Sequence, residues 1–270
     1  VKQSAALLLL LSCLALYAEP LKKGDRIVFL GDSITQAGAK PNGYIRQIEA
    51  SLKSSHGELE IGIVGAGISG HKVPDCQKRL ERDVLSKKPS IVFIYIGIND
   101  VWHWNRNRGT KKEDFDAGLR DMIAKINAAG ARVILCTPTV IGEKTDGSNK
   151  FDKMLDEYSA ISRKVATETK SQMLDLRKGF MDHLKIHNKD NKDRGILTSD
   201  SVHLNAAGNT KVAEMMLGAL GATMSKPSLK LPTIFTDHMV LQRDEPIAVW
   251  GWGSASKEVS VTLGNASATT

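Results

Sequence analysis

The sequence is poor in cysteine and in aromatic residues. Only 3 of its 270 residues are Cys, so the chain is not a small disulfide-stabilised scaffold, and no group of His and Cys has the spacing of a zinc site. Phe, Trp and Tyr together make up 5% of the residues, too few for the aromatic surfaces that bind single-stranded nucleic acid. Apolar residues at 41% and charged residues at 25% are close to the globular average, which excludes a disordered, collagenous or coiled-coil chain.

The chain is basic, but its positive charge is not concentrated in one place. The 37 Lys and Arg residues outnumber the 30 Asp and Glu residues, which gives a formal net charge of +7. The densest runs are the pairs Lys87-Lys88 and Lys111-Lys112, whereas a nucleic-acid-binding protein usually carries a basic stripe. We therefore interpret the excess charge as solvated surface and expect no nucleic-acid partner.

A long apolar run is absent, and the apolar stretch near the start is shorter than a membrane span. Lys2 precedes this stretch, Ala5 to Ala18, and Glu19-Pro20 ends it, which is the pattern of a secretory signal peptide over residues 1–18. A lipid-anchored alternative would use Cys13, but apolar residues follow it, whereas exposed tethers are usually polar. We expect a secreted or periplasmic protein with no stable membrane span after removal of the signal.

Two cysteines lie outside the predicted signal peptide. Cys76 and Cys136 either form a single disulfide or remain as two buried thiols. Cys136 ends the apolar run Arg132–Cys136, which favours a buried thiol at that position.

From residue 26 onward, short apolar runs alternate with segments of helical periodicity. The apolar runs are mostly rich in Val or Ile, as in strands buried on both faces, and the helical segments repeat apolar residues at i, i+3, i+4 and i+7. The predicted strands are Arg26–Leu30, Leu59–Val64, Ser90–Ile96, Arg132–Cys136 and Gln172–Leu176, and the predicted helices are Tyr44–Ser55, Val73–Ser86, Glu113–Ala129, Asp152–Thr169 and Ala206 to about Leu220. This alternation predicts an α/β domain over residues 19–223, with helices on both faces of a parallel sheet.

The pattern changes near the end of the chain. Residues 224–270 begin with a linker at 225–228 and then show no helical periodicity. The predicted short strands are Met239–Gln242, Ile247–Trp252 and Glu258–Leu263. Since a complete β-sandwich needs roughly 100 residues, we expect a truncated all-β domain here.

Polar side chains follow two of the predicted strands, the first and the third. Ser33 comes directly after the first strand, in Gly31-Asp32-Ser33, and Asn99 follows the third. Ligands of an open parallel sheet bind beyond the carboxyl ends of the strands, so both side chains are expected at that edge. Taken alone, a serine there is most often a helix cap, and an asparagine often only satisfies loop backbone.

A third candidate segment, Asp200-x-x-His203, lies in a polar loop before the last predicted helix. Taken alone, this pattern usually marks a cap and a surface histidine. A serine becomes a nucleophile when an imidazole removes its proton and an anion orients the imidazole. A preorganised amide such as that of Asn99 can stabilise the oxyanion that then develops. The combination of these segments on one edge therefore predicts a serine hydrolase.

The glycines after the second strand resemble a nucleotide site but lack its other features. Gly65-x-Gly67-x-x-Gly70 matches the dinucleotide-binding fingerprint, yet that fingerprint follows the first strand of its unit and has an acidic residue about 20 positions later. Residues 88–92 contain no carboxylate. We therefore expect no nucleotide cofactor and interpret the glycines as positions where backbone N–H groups approach a substrate.

Four segments, taken in chain order, resemble the SGNH (GDSL) hydrolase family over roughly residues 24–222. They are Gly31-Asp32-Ser33, Ile68-Ser69-Gly70, Gly97-x-Asn99-Asp100 and Asp200-x-x-His203. The resemblance implies a three-layer α/β/α sandwich with a five-stranded parallel sheet that hydrolyses esters without a cofactor. The residues it assigns are the nucleophile Ser33, the general base His203, the orienting acid Asp200, and the oxyanion-hole donors Ser33, Gly70 and Asn99. Two positions depart from the family pattern: Ile34 replaces the leucine of the family name, and Gly65 stands where many members carry an asparagine.

The substrate is suggested by the C-terminal segment, since residues 231–252 are similar to the amino-terminal β portion of sialate O-acetylesterases. We expect an exported serine esterase that removes short acyl groups, above all acetyl, from a glycan or a small acylated molecule, without a metal. Asp32, His71, Trp102 and Trp104 are the candidate substrate-binding residues. Loop packing is the alternative for the tryptophans, and an exposed loop position for the histidine. A non-catalytic carbohydrate-binding protein is the alternative function.

Overall fold

A computed structural model of the chain describes residues 19–224, 231–236, 238–240, 242, 245–253, 258–264 and 266–270. The predicted signal peptide, the lipidation alternative at Cys13 and the linker at 225–228 lie outside the described residues. The chain divides into two compact units, the first extending to Met224 and the second running from Ser225 to Thr270.

The first unit is built on a five-stranded parallel sheet, as predicted. Its strands are β1 (Arg26–Gly31), β2 (Gly62–Gly67), β3 (Ile91–Tyr95), β4 (Arg132–Cys136) and β5 (Gln172–Leu174). They lie in the order β2-β1-β3-β4-β5, with every pair parallel. The strand β3 is buried along its whole length, and β1 is buried beyond its first residue, so elements must cover both faces of the sheet.

Helices enclose the sheet in a three-layer α/β/α sandwich. They are α1 (Ser33–Gly38), α2 (Tyr44–Ser55), α3 (Val73–Lys78), α4 (Leu80–Asp83), α5 (Ile98–Trp102), α6 (Lys112–Ala128), α7 (Asp152–Thr169), α8 (Leu176–His187) and α9 (Ala206–Ala219). The helix α2 packs against α9, and α6 packs against α3 and α7. In α6 the apolar positions of the predicted period, Leu119, Met122 and Ile126, are buried.

The strand order places a topological switch point beside β1. The chain passes from β1 to β2 on one side and then crosses to β3 on the other. Ligands of doubly wound sheets bind at such a point, beyond the carboxyl ends of the strands. Ser33 follows β1 and Asn99 follows β3, so both lie at this edge of the fold.

Two predicted elements around β2 need correction. The predicted helix Val73–Ser86 is broken at Arg79, whose backbone is not helical (φ −110°, ψ 5°). The predicted strand Leu59–Val64 starts only at Gly62, because Glu60 adopts a left-handed conformation (φ 51°) after a 3₁₀ turn. The strand then continues through Gly67, where a Cβ would lie 2.1 Å from the backbone nitrogen of Gln36. Only glycine permits this close approach of β2 to α1.

The end of the sheet also differs from the prediction. The strand β5 ends at Leu174 rather than at Leu176, and the helix α8 that follows was not predicted. Asp175 begins this helix by accepting a hydrogen bond from the backbone N–H of Lys178 at 3.0 Å. Leu176, Phe180 and Leu184 form its buried face. With Leu176 assigned to the strand, the pattern lacks its first member, and the remaining residues do not predict a helix.

In the second unit, β6 (Ser260–Leu263) and β7 (Ala266–Thr269) form an antiparallel pair. The predicted strand Glu258–Leu263 is therefore confirmed in part. The predictions over Met239–Gln242 and Ile247–Trp252 are wrong for the described residues 239, 240, 242 and 247–251, which form no strand. A strand needs a hydrogen-bonded neighbour, and no other described segment pairs with these residues.

Within the described part of the chain, no helix is both long enough and apolar enough to cross a membrane, and no group of three or more His, Cys, Asp or Glu could hold a metal ion.

Cys76 and Cys136 are both buried and form no disulfide, so the second of the two predicted alternatives, two buried thiols, is correct. Burial raises the pKa of both thiols, that of Cys76 to about 12. Neither is therefore a reactive thiolate at neutral pH.

Candidate active site

Ser33 occupies a tight turn from strand to helix. It is the first residue of α1, and Asp32 caps the helix by accepting a hydrogen bond from the Ile34 N–H at 2.9 Å. At Gly31, a Cβ would lie 2.0 Å from the Thr35 hydroxyl and 2.5 Å from the carbonyl oxygen of Tyr95. Glycine is thus required for β1 to pass directly into α1, and this turn brings Ser33 to the edge of the sheet.

His203 and Asp200 lie beside Ser33, although 170 residues separate His203 from Ser33 along the chain. The Nε2 atom of His203 is 2.9 Å from the Ser33 hydroxyl oxygen, and its Nδ1 atom is 2.7 Å from Asp200 Oδ2. The structure therefore brings together the three residues that the sequence predicts as a catalytic relay. A chain of hydrogen bonds in this order can move the hydroxyl proton onto the imidazole.

The Asp200 carboxylate is held by its own loop. Its Oδ1 atom accepts hydrogen bonds from the backbone N–H groups of Val202, at 3.1 Å, and His203, at 2.7 Å. Partial burial acts to raise the pKa of Asp200, but the hydrogen bonds from the His203 backbone and ring and from Val202 outweigh it, and the pKa is lowered. The carboxylate is therefore ionised at neutral pH and can hold the proton on Nδ1, which leaves Nε2 as an acceptor for the Ser33 proton.

The loop that carries Asp200 and His203 is anchored by Glu143, a buried residue that the sequence analysis did not single out. Its carboxylate accepts four hydrogen bonds, at 2.5 to 2.8 Å, from the backbone N–H groups of Ile196, Leu197 and Thr198 and from the Thr198 hydroxyl. Four donors can compensate the burial of an ionised carboxylate. The only sequence signal for this contact is an acidic residue shortly after the end of β4.

The predicted oxyanion donors follow β1, β2 and β3, three adjacent strands, at the same edge of the sheet. Asn99 donates one amide hydrogen to the backbone carbonyl of His71 at 3.1 Å. Among the described residues, the second amide hydrogen of Asn99 and the backbone N–H groups of Ser33 and Gly70 have no hydrogen-bond partner. Gly70 has a left-handed conformation (φ +77°), and a Cβ there would meet nothing within 4 Å. These three unused donors are available to a group that binds at Ser33.

The comparison with known families agrees with this arrangement. The GDSL-like lipase/acylhydrolase family matches residues 29–211, a segment that contains Ser33, Asn99 and His203. The chain belongs to this family.

The chain is also similar to proteins named acetylxylan esterases. An acetylxylan esterase from Geobacillus stearothermophilus is 31% identical over 215 residues, which are 73% of this chain and 94% of that enzyme. Among solved structures, the acetyl xylan esterase AlAXEase is 43% identical with a TM-score of 0.71, and the match covers 72% of this chain and 99% of that one. Axe2, an acetylxylan esterase from G. stearothermophilus, is 28% identical with a TM-score of 0.68, over 77% of this chain and 99% of that one.

The two predicted substrate-binding tryptophans differ in their surroundings. Trp102 ends α5, the helix that carries Asn99, and is 37% exposed. The indole N–H of Trp104 instead donates to the Tyr158 hydroxyl at 3.3 Å, and its ring packs against Gly109, where a Cβ would lie 2.2 Å from the ring. Trp104 therefore stabilises the segment that follows α5, whereas the Trp102 side chain, three residues after Asn99, is partly exposed.

The predicted role of Asp32 in substrate binding needs correction, because its side chain is almost completely buried. Asp100, in α5, is buried as well and accepts a hydrogen bond from the Val73 N–H at 3.0 Å. Burial raises the pKa of Asp32 to about 7, an effect that the Ile34 N–H opposes and the Asp100 charge reinforces. Burial likewise raises the pKa of Asp100 to about 6, an effect that the hydrogen bond from the Val73 N–H opposes.

Because of these two buried carboxyl groups, we expect the free energy of unfolding to fall as the pH rises from about 4 to about 7. In the folded protein the pKa of each group is raised above its ordinary value of 3.8. The folded state therefore holds more protons than the unfolded state across this pH range, and raising the pH favours unfolding. The Asp32→Asn variant keeps a capping oxygen and should show a smaller fall, since each pKa unit corresponds to about 1.4 kcal/mol. Urea unfolding at pH 4, 5.5 and 7 measures the difference, and identical pH slopes in both proteins would contradict it.

Proposed function

We propose that this chain is an esterase that removes acetyl groups from xylan-type glycans, with Ser33 as the nucleophile. The observation that carries the proposal is the hydrogen-bonded series from the Ser33 hydroxyl through His203 to Asp200, beside three unused N–H donors. A serine hydrolase needs this relay and these donors for its two chemical steps.

In the first step, His203 Nε2 takes the hydroxyl proton as Ser33 Oγ attacks the acetyl carbonyl carbon. Asp200 stabilises the imidazolium that forms. The N–H groups of Ser33 and Gly70 and the free amide hydrogen of Asn99 donate to the negatively charged oxygen of the tetrahedral intermediate. The intermediate collapses, the bond to the sugar oxygen breaks, and this oxygen takes the proton from His203.

In the second step, the acetyl group on Ser33 is hydrolysed. His203 removes a proton from a water molecule, whose oxygen attacks the acyl carbon. The same donors stabilise the second oxyanion. The bond to Ser33 Oγ then breaks, His203 returns the proton to the serine, and acetate leaves.

Two further observations support an acetylated glycan as the substrate. The similar proteins are named acetylxylan esterases. In the present chain, the side chains of His203 and Asp200 are 35% and 49% exposed. An open site of this kind can accept an acetyl group that projects from a polymer.

The test is acetate release from acetylated xylan, acetylated pectin and O-acetylated sialic acid, together with hydrolysis of 4-nitrophenyl acetate. We expect turnover by the wild-type protein, fastest on xylan, and none above background by the Ser33→Ala variant. A carbohydrate-binding protein without activity would release no acetate, and the two proteins would then behave alike. Faster release from sialic acid than from xylan would instead favour the resemblance of residues 231–252 to sialate O-acetylesterases.

We also propose that the chain is exported and that cleavage follows Ala18. The support is the pattern of Lys2, the apolar stretch up to Ala18 and the polar residues after it. N-terminal sequencing of protein recovered from the periplasm or the medium would test this, and an uncleaved chain retained in the cytoplasm would contradict it.

The exposed Trp102 is expected to bind the sugar ring that carries the acetyl group. The Trp102→Ala variant should raise the KM for acetylated xylo-oligosaccharides about 2- to 13-fold, because loss of an aromatic stacking surface costs about 0.5–1.5 kcal/mol. Its KM for 4-nitrophenyl acetate should stay within twofold of the wild-type value, since that substrate has no sugar. The matched control is Trp104→Phe, which keeps the packing against Gly109. Equal effects of the two variants on both substrates would contradict the role of Trp102.

A further inference from the structure

Arg79 is a buried cation whose five N–H groups all have partners. The residue is 4% exposed. Its Nη2 donates to the carbonyl oxygen of Gly31 at 2.7 Å and to the Cys76 sulfur at 3.4 Å, and its Nη1 donates to the carbonyl oxygen of Ala66 at 2.8 Å and to Asp83 at 3.1 Å. Its Nε donates to Nδ1 of His71 at 3.0 Å. A guanidinium with this set of bonds has one orientation only.

The partners of Arg79 lie next to the proposed oxyanion donors. Gly31 is the last residue of β1, two positions before Ser33. His71 follows Gly70 directly, and its carbonyl oxygen accepts the amide hydrogen bond of Asn99. The guanidinium therefore connects the segments that carry all three donors, although Arg79 itself belongs to none of them.

A contribution to stability does not by itself explain why a charged residue is buried at position 79. Burying a guanidinium carries a large desolvation penalty, and well-packed apolar residues often stabilise a core as well or better. Asp83 is its one carboxylate partner and is partly exposed, whereas the remaining bonds go to neutral groups. Donors that stabilise an oxyanion must, however, be held close to their working geometry before the reaction begins.

We propose that Arg79 is a positioning residue for the oxyanion hole: through His71 it fixes the Gly70 N–H and the Asn99 amide, and through Gly31 it fixes the turn that carries Ser33. This inference rests on the esterase function proposed above. Because His71 accepts from Arg79 at Nδ1, the neutral ring carries its proton on Nε2. Partial burial and the Arg79 charge also lower the pKa of His71, which keeps the ring neutral and this bond intact.

The first test compares kcat and KM for 4-nitrophenyl acetate in Arg79→Lys and Asn99→Ala. Loss of one oxyanion donor typically lowers kcat about 10²- to 10³-fold. We expect Arg79→Lys to lower kcat at least about 30-fold with KM within threefold, because a lysine keeps the charge but cannot replace the planar set of five donors. The double variant should lose less than the product of the two single losses, since Arg79 acts in part through the Asn99 amide.

The matched control is Arg82→Lys, because Arg82 also binds Asp83 but its side chain is 71% exposed. It should keep wild-type kinetics and a wild-type thermal midpoint. Circular dichroism and thermal unfolding establish that each variant is folded.

A second pair of variants keeps the test decisive if Arg79→Lys does not fold. In His71→Asn, a side-chain oxygen can take the place of Nδ1 as the acceptor from Arg79, and kcat should exceed that of His71→Ala severalfold. In His71→Ala this acceptor is lost, and kcat should fall at least tenfold. ¹⁵N NMR of the wild-type protein should show His71 with its proton on Nε2 from pH 6 to 8.

Three results would overturn the proposal: a folded Arg79→Lys variant with kcat within threefold of wild type, a double variant whose loss is the product of the two single losses, or equal kcat values in the two His71 variants. If the wild-type protein has no esterase activity that depends on Ser33, the proposed function fails together with this inference. If it has such activity and one of the three results is obtained, only the role of Arg79 fails.

Discussion

The Ser33→Ala and His203→Ala variants are expected to lose about 10⁵-fold or more of the wild-type kcat for acetyl-ester hydrolysis. The reason is geometric, since Ser33 Oγ and His203 Nε2 are 2.9 Å apart and act as one unit. Without the imidazole, the hydroxyl keeps its proton and is a weak nucleophile. Without the hydroxyl, no acyl-enzyme can form. The double variant should therefore lose no more than either single variant.

Acetate release over hours at high enzyme concentration measures these residual rates, and the thermal midpoint shows whether each variant is folded. Asp200→Asn provides a graded comparison, with an expected loss of about 10⁴-fold, because an amide favours the wrong tautomer of His203. Losses that multiply in the double variant would mean that Ser33 and His203 do not act together. A His203→Ala variant that keeps more than a tenth of the wild-type kcat would refute the relay.

The second large effect is expected at Glu143, far from Ser33 in sequence and outside the relay. In Glu143→Gln, one carboxylate oxygen becomes an NH₂ group that faces a backbone N–H of the 196–198 segment, where two donors cannot bond. We expect the free energy of unfolding to fall by about 2–4 kcal/mol, because a buried donor loses its partner and the remaining bonds lose their charge assistance. We also expect kcat to fall about 100-fold, since a shift of about 1 Å in a catalytic group has such an effect.

Urea unfolding and the kinetics of 4-nitrophenyl acetate hydrolysis measure the two effects of Glu143→Gln. The control is Glu157→Gln, because Glu157 forms a partly exposed ion pair with Lys112 at 2.8 Å. Loss of this ion pair should change the free energy of unfolding by less than about 1 kcal/mol and leave kcat unchanged. If the Glu143 variant loses stability but keeps wild-type kcat, the carboxylate stabilises the loop without positioning His203.

Much of the fold could be predicted because it depends on local patterns. The helices at Tyr44–Ser55 and Asp152–Thr169 and the strand at Arg132–Cys136 have the predicted bounds, since their periodicity and their end signals lie within a few residues of one another. The predictions failed where a distant contact or a turn overrode the local pattern. The predicted helix Val73–Ser86 breaks at Arg79, where the side chain binds carbonyl groups at the ends of two strands.

In the candidate site, too, the residues marked by a local pattern were predicted and those that act through distant contacts were not. Ser33, Asn99 and the Asp200-x-x-His203 segment were identified from their positions after strands and before the last helix. The supporting residues Arg79 and Glu143 were not identified, because a buried Arg within a helical pattern and a Glu in a loop resemble ordinary surface charges. Their hydrogen-bond partners lie up to 55 residues away in the chain, beyond the range of any local pattern.

The alternation of strands and helices, the order of the chemical groups and the edge of the sheet at which they emerge can all be read from the sequence alone. These features follow from side-chain periodicity and from turn residues, which act over short stretches of backbone. Only the tertiary structure decided that the loop of His203 folds back to within hydrogen-bonding distance of Ser33, that Asp32 is buried with a raised pKa, and that two buried charges hold the surrounding loops. Burial and desolvation depend on which segments pack together, and that is a property of the whole folded chain.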